Sequence, residues 1–170
     1  MKLISYQSKN LPKNIKKEIL KLKIENWNYN YKSQSSWFDK NIFKTDLHNC
    51  LFVKEKLAGY TCLRKRKFYY KNKKLNFLLF DTLIIKKNFR NIRLGQTIMR
   101  FNNRIIKKYN YSSYLIATKN VKKFYEKNKW KHIKKNFIFK NHKIKKNKIL
   151  MGFNYKKDIL KEKRKLIFVI

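Results

Sequence analysis

The chain has 170 residues, with 46 Lys and Arg against 9 Asp and Glu, a formal net charge of +37. Its 43% hydrophobic and 16% aromatic content is too apolar for disorder despite that charge, and the length suits one domain with a sizeable core. No apolar run of signal-peptide length opens the chain and nothing approaches the ~20 residues needed to span a bilayer, so a cytoplasmic protein without a membrane partner is expected.

Lys2 to Tyr6 reads as a first strand. Pro12 suits a first helical position, and Ile15, Ile19, Leu22, Ile24 and Trp27 recur at near-helical spacing, giving an amphipathic helix over 12–27. Residues 28–36 are polar and aromatic without periodicity and read as a loop, with a short second helix over Trp37 to Lys44. Cys50 to Val53 and Leu57 to Leu63 flank Lys54-Glu55-Lys56, a hairpin signal. The spacing of Cys50 and Cys62 fits cross-strand neighbours, read as reduced core thiols. Phe68 to Tyr70 and Leu75 to Ile85 form a second hairpin. A helix over Leu94 to Lys108 carries Leu94, Ile98, Phe101 and Ile105 on one face and lysines in its last turn, where they complement the dipole. Tyr114 to Ala117 is a short buried strand, and Asn120 is placed to cap the helix carrying Tyr125. Strands near His132 to Phe139 and Lys148 to Tyr155 complete the sheet. The domain is bounded at 1–157; the tail, 158–170, is charged then apolar and is expected to pack on the domain or on a second copy.

Two segments carry chemistry. In Leu83-Ile84-Ile85-Lys86-Lys87-Asn88-Phe89-Arg90-Asn91-Ile92-Arg93-Leu94-Gly95-Gln96-Thr97 an apolar strand passes through a turn into a helix. A helix beginning there points unpaired N–H groups and a positive dipole end into the crevice at the strand's carboxyl end, where phosphates bind well. Gly95, without a Cβ, lets the backbone approach such a ligand. The segment resembles the Gln/Arg-x-x-Gly-x-Gly/Ala signature of the GNAT superfamily of acyl-coenzyme A-dependent N-acyltransferases, with Arg90 first, Gly95 last and Arg93 where a glycine is expected. Asn120-Val121-Lys122-Lys123-Phe124-Tyr125-Glu126-Lys127-Asn128-Lys129-Trp130 is similar to a later segment of that family, Asn-x-x-Ala-x-x-Phe-Tyr-x-Lys-x-Gly-Phe, with Lys129 replacing the glycine and Trp130 the phenylalanine.

The resemblance implies a mixed α/β (α+β) GNAT-like fold, a mostly antiparallel sheet of six to seven strands flanked by about four helices. It implies an N-acetyltransferase moving an acetyl group from acetyl-coenzyme A, its co-substrate, to a primary amine of a small molecule or peptide by direct transfer in a ternary complex. The cofactor-binding set is Ile85, Arg90, Ile92, Arg93, Leu94, Gly95, Gln96, Thr97 and Asn120. Backbone N–H groups from Ile92 to Thr97 would hold the pyrophosphate, with the Thr97 hydroxyl, Arg90 and Arg93 as further donors; Asn120 would bind the pantetheine arm. Tyr125 stands where the family commonly keeps a tyrosine that protonates the leaving thiolate; its alternative role is core packing beside Phe124. An ordinary phenol, with a pKa of ~10, stays protonated at neutral pH and can donate.

Asp81 is the only carboxylate on the central strand. It can serve as base, grip a cationic acceptor, or pair structurally with a neighbouring lysine. His48, His132 and His142 are isolated, without metal-ligand spacing, so no metal is expected.

Of the 46 cations 39 are Lys and 7 Arg; Asn (20) and Ile (19) are equally swollen, while Ala (2), Gly (3) and Pro (1) nearly vanish. Lys, Asn and Ile have A/T-rich codons, so genome composition accounts for much of the basicity, and scarce Arg weighs against a nucleic-acid partner. The rival reading remains a basic nucleic-acid-binding protein that uses the Lys-rich strands of 131–148 with Trp130, Phe137 and Phe139. A third is a GNAT-fold protein that has lost catalysis. The acceptor and the choice between monomer and homodimer are left open.

Overall fold

In the computed structural model the described residues are 1–70, 73–134, 137–139, 147–156 and 166–169, and they form nine strands and four helices. They divide into two units. The first comprises Met1–Arg64 and Asp81–Asn102, the second Lys65–Phe80 and Asn103–Ile170.

In the first unit β1 (Lys2–Gln7) lies antiparallel to β2 (Leu47–Val53), and β2 antiparallel to β3 (Lys56–Tyr70). The β2–β3 turn places Lys54 and Glu55 at φ of 44° and 62°, the paired left-handed geometry of a tight hairpin. β4 (Lys73–Ile85) is the next neighbour of β3. Gly59 permits their close approach: a Cβ there would lie 2.8 Å from Ile85 Cδ1 and 3.4 Å from the Ile84 carbonyl oxygen. Helix α1 (Lys13–Trp27) buries Ile19, Leu20 and Leu22 in a cluster with Phe38, Cys50, Tyr60, Cys62 and Ile84. Pro12 stands at its N-cap, one position earlier than expected.

Of the segment 28–36, expected to be a loop, only 28–30 is one; 31–36 is helical. Asn28 takes the left-handed conformation that ends α1, and Asn30 caps α2 (Tyr31–Asn41), its Oδ1 accepting from the Ser33 N–H at 2.7 Å. β3 also runs unbroken through the Arg64 to Lys67 charge run, where a break was expected.

Cys50 faces Tyr60 and Cys62 faces His48, so the two thiols sit diagonally across the strands rather than opposite one another. Both are free and buried. Burial pushes the Cys50 thiol up to about 12 and raises that of Cys62 as well, as suits inert core thiols.

In the second unit Leu78 and Leu79 of β4 pair in parallel with Ser113 and Tyr114 of β5 (Ser113–Thr118). β5 is antiparallel to β8 (Lys148–Phe153), and β8 to β6 (Lys131–Ile133). The tail ends in β9 (Leu166–Val169), antiparallel to Lys67–Tyr69 of β3 and parallel to β7 (Phe137–Phe139). Phe68, Phe77, Tyr114 and Phe168 meet at centroid distances of 5.1–5.8 Å and form the centre of this unit's core. The architecture is mixed α/β, mostly antiparallel, with four helices.

Helix α3 (Leu94–Lys108) has the expected ends, but its buried stripe runs through Leu94, Ile98, Asn102 and Ile106, while Phe101 and Ile105 are half-buried. Asn102 belongs in an apolar stripe because its amide is satisfied: Asn49 Nδ2 donates to its Oδ1 at 2.6 Å, and its Nδ2 donates to Thr61 Oγ1 at 2.8 Å. Helix α4 (Lys122–Lys127) follows a 3-10 turn over Lys119–Val121.

Candidate functional site

Between β4 and α3 the chain makes a 3-10 turn over Lys87–Phe89 and then takes left-handed φ at Asn91 (65°) and Arg93 (59°) before Leu94 opens the helix. The Gln96 and Thr97 N–H groups both bond the Arg93 carbonyl, at 3.1 and 3.2 Å. Among the described residues, the five preceding N–H groups, Asn91 to Gly95, meet no acceptor. Consecutive unpaired N–H groups around left-handed residues form a concave donor set at the positive end of a helix, suited to an anion. The donor set expected over Ile92 to Thr97 is therefore displaced toward Asn91, with Gln96 and Thr97 turned inward.

A non-glycine residue in the left-handed region costs roughly 1–2 kcal/mol. Arg93 occupies the motif's missing-glycine position and nevertheless keeps a conformation that glycine favours. Gly95 has no positive φ, so its backbone conformation does not require glycine. Arg90 braces the turn: its Nε donates to the Ile85 carbonyl at 3.0 Å and its Nη2 to Asn26 Oδ1 at 2.9 Å. Leu94 buries its side chain in the core with Leu51, Ala58 and Ile98. Among the described residues the Thr97 hydroxyl makes only long bonds, donating to the Arg93 carbonyl at 3.4 Å and accepting from Arg100 Nη2 at 3.5 Å.

In the second unit, α4 ends in a Schellman motif. The Trp130 N–H donates to the Tyr125 carbonyl at 3.1 Å and the Lys129 N–H to the Glu126 carbonyl at 3.0 Å, with Lys129 left-handed at φ 69°. Here too a non-glycine residue takes the left-handed conformation that glycine favours. Tyr125 is half-buried against Phe80, Phe124 and Trp130. Burial pushes its phenol up to about 12, so it remains a proton donor at neutral pH. Asn120 does not cap α4: the 3-10 turn moves the N-cap to Val121, and the Thr118 hydroxyl donates to Asn120 Oδ1 instead. Trp130 is buried, stacks on Phe153 at 5.6 Å and donates Nε1–H to Asn103 Oδ1 at 3.0 Å, so its face is closed to a base. The Lys-rich run of 135–136 and 140–146 lies outside the described residues, as do the side chains of Phe137 and Phe139.

The first unit also holds a cleft of about 410 Å³, lined by Lys23 and Trp27 of α1, Tyr29, Ser33, Gln34 and Trp37 around α2, and Asp81 and Thr82 of β4. Asp81 pairs with an arginine, not a lysine: Arg64 Nη1 donates to its Oδ2 at 2.9 Å. Thr82 sits at φ 59°, a strained conformation for a β-branched residue inside a strand, and its hydroxyl donates to Asp81 Oδ1 at 3.3 Å. Lys23 is buried with Nζ 4.0 Å from the Trp37 ring centre. Burial lowers its pKa from the usual lysine range, against the opposing charge of Asp81.

Solved structures similar to this chain include the GNAT family N-acetyltransferase YhbS of Escherichia coli in complex with coenzyme A, with a TM-score of 0.67 at 7% identity over 98% of this chain and 88% of that one. An acyl-CoA N-acyltransferase from Pseudomonas aeruginosa gives 0.66 at 12% identity, over 89% and 99%. The aminoglycoside 6'-N-acetyltransferase from Enterococcus faecium gives 0.62 at 13%, over 90% and 96%. The chain has the GNAT fold. No protein-family profile matches the sequence, and no curated protein is significantly similar to it.

On this GNAT fold the sequence-predicted residues fall into two groups. Ile85, Arg90, Ile92, Arg93, Leu94, Gly95, Gln96 and Thr97 gather at the β4–α3 junction, and Asp81 lines the cleft in the same unit; Asn120 and Tyr125 belong to the other unit. Sequence reasoning missed Lys23, Gln34 and Arg64. Lys23 left a readable signal, a lysine at the spacing of α1's buried stripe beside Ile19 and Leu22; Gln34 lay in a stretch read as loop.

Proposed function

We propose that this protein is an N-acyltransferase that binds acetyl-coenzyme A and transfers the acetyl group directly to a primary amine in a ternary complex. The observation that carries this reading is the unpaired N–H run from Asn91 to Gly95 at the start of α3, held open by left-handed Asn91 and Arg93. Those donors bind the pyrophosphate, and the exposed Arg93 guanidinium adds a charge-assisted contact. Arg90 holds the turn through Ile85, Thr97 supplies a hydroxyl, Gln96 continues the helix start, and Asn120 bonds the pantetheine arm. The amine nitrogen attacks the thioester carbonyl, the C–S bond breaks, Tyr125 gives its proton to the departing thiolate, and the proton shed by the new amide nitrogen passes through solvent to restore the phenol. Asp81, its charge partly balanced by Arg64, orients the incoming amine. In the solved structure of YhbS coenzyme A is the bound molecule, which supports the choice of donor.

Thermal unfolding with and without coenzyme A tests the reading. A ligand at 100 times its dissociation constant stabilises by about 2.7 kcal/mol, so a clear upward shift is expected in wild type and none in Gly95→Val. The rival nucleic-acid reading loses one of its three aromatic residues, Trp130, to burial. Acyl transfer with coenzyme A release separates an active enzyme from a GNAT fold without catalysis.

A further inference from the structure

The cleft between α1, α2 and β4 has a polarity that an ordinary amine does not use. Lys23 is 5% exposed, and among the described residues its ammonium has no hydrogen-bond acceptor, only the Trp37 face. The carboxylate whose charge acts on it, Asp81, is already engaged by Arg64, whose Nη2 is further tied to the Asn41 carbonyl at 3.1 Å. The lining and its bracing arginine thus hold two cations against one carboxylate. A desolvated ammonium without a paired anion is costly to keep and gains strongly when an anion arrives. On the same wall, Gln34 is 6% exposed and its buried Oε1 has no partner among the described residues, an acceptor waiting for a donor. A ligand that satisfies both groups carries a cationic N–H donor and an oxyanion. Trp27, Tyr29 and Trp37 offer flat apolar surface for the body between them.

We propose that this cleft selects acceptor amines that also carry an oxyanion, a carboxylate or a phosphate, which Lys23 binds while Gln34 and Asp81 take the amine. The proposal rests on the acyltransferase reading, since it names the acceptor class for that reaction. It departs from the polycationic aminoglycosides: a second and third ammonium would meet Lys23 and the Arg64 guanidinium, with Asp81 alone to balance them.

Two matched pairs test it, L-phenylalanine against phenethylamine and O-phosphoethanolamine against ethanolamine, with kanamycin as the polycation. Binding is measured by calorimetry on the coenzyme A-loaded protein, and acetylation by coenzyme A release. The expected result is that the acidic member of at least one pair is preferred by about 10- to 100-fold, and that Lys23→Gln abolishes the preference while its affinity for coenzyme A is unchanged. Which pair shows the preference tells carboxylate from phosphate. Neither acidic member bound better than its neutral partner, or kanamycin acetylated as efficiently as either, would overturn the proposal. Should Lys23→Gln not fold, Lys23→Arg retains the charge and must retain the preference, and the wild-type ratio alone decides. Absence of coenzyme A binding would instead strike the acyltransferase reading, so the two failures are told apart.

Discussion

Arg64 Nη1 donates to Asp81 Oδ2 at 2.9 Å across neighbouring strands, with 7% of the arginine side chain exposed and 29% of the aspartate's. Removing one partner of a buried pair leaves an uncompensated charge, typically worth about 3 kcal/mol or more. Asp81→Ala is therefore expected to destabilise by about that amount in denaturant unfolding, and the double variant Arg64→Met/Asp81→Leu to recover most of it. Recovered stability without recovered amine affinity would assign Asp81 a role in binding beyond its structural one.

Arg93 and Lys129 share left-handed φ values of 59° and 69°. Glycine at either site relieves steric cost but frees the unfolded chain, so Arg93→Gly and Lys129→Gly are each expected to stabilise by up to about 1 kcal/mol, a Tm rise of roughly 2–4 °C. Alanine at the same positions retains the strain and should give no gain. A fall in Tm for both glycine variants would mean that the side chains contribute more than their backbone costs.

These two positions show how much was legible. The fold was readable because strong patterns agreed with each other: the apolar run to Ile85, the turn at Arg90 to Arg93 and the helix from Leu94 follow one another with the expected spacing. Conformation at a substituted glycine was not readable, since nothing local says that Arg93 will accept a strained φ when the surroundings demand it. The second helix was expected to begin at Trp37 rather than Tyr31 because its start depends on a single cap, the Asn30 side chain to the Ser33 N–H, in an otherwise aperiodic stretch. The same local view made Asn120 a cap, when the 3-10 turn at Lys119–Val121 moves the helix start past it. Gln34 and Arg64 depend on tertiary surroundings that no spacing reveals, whereas Lys23 was legible as a lysine at the spacing of α1's buried stripe.

His48 is fully buried, with Ser8 Oγ 2.8 Å from Nε2 and Tyr60 Oη 2.8 Å from Nδ1. Burial depresses its pKa from 6.5 to about 4. The folded state then binds fewer protons than the unfolded state between those values, so this contribution is complete above pH 6.5 and is lost as pH falls toward 4. A depression of that size corresponds to about 3 kcal/mol. Urea midpoints measured between pH 7 and 4 should fall accordingly in wild type and more shallowly in His48→Gln; equal slopes would remove His48 as the source.

Tyr125→Phe removes one hydroxyl and hardly changes volume, so stability should shift by less than about 1 kcal/mol. General acid catalysis is worth ~10²- to 10⁴-fold, and turnover should drop by a factor in that range with coenzyme A binding retained. Unchanged turnover would leave water or the substrate to protonate the thiolate.

Calorimetric titration of coenzyme A into wild type and Gly95→Val, at physiological ionic strength, tests the N–H cradle of Asn91 to Gly95 most directly. Saturable one-to-one binding to wild type and its loss in a folded Gly95→Val are expected. No binding of coenzyme A to wild type, alongside tight and salt-sensitive binding of oligonucleotides, would contradict the cradle.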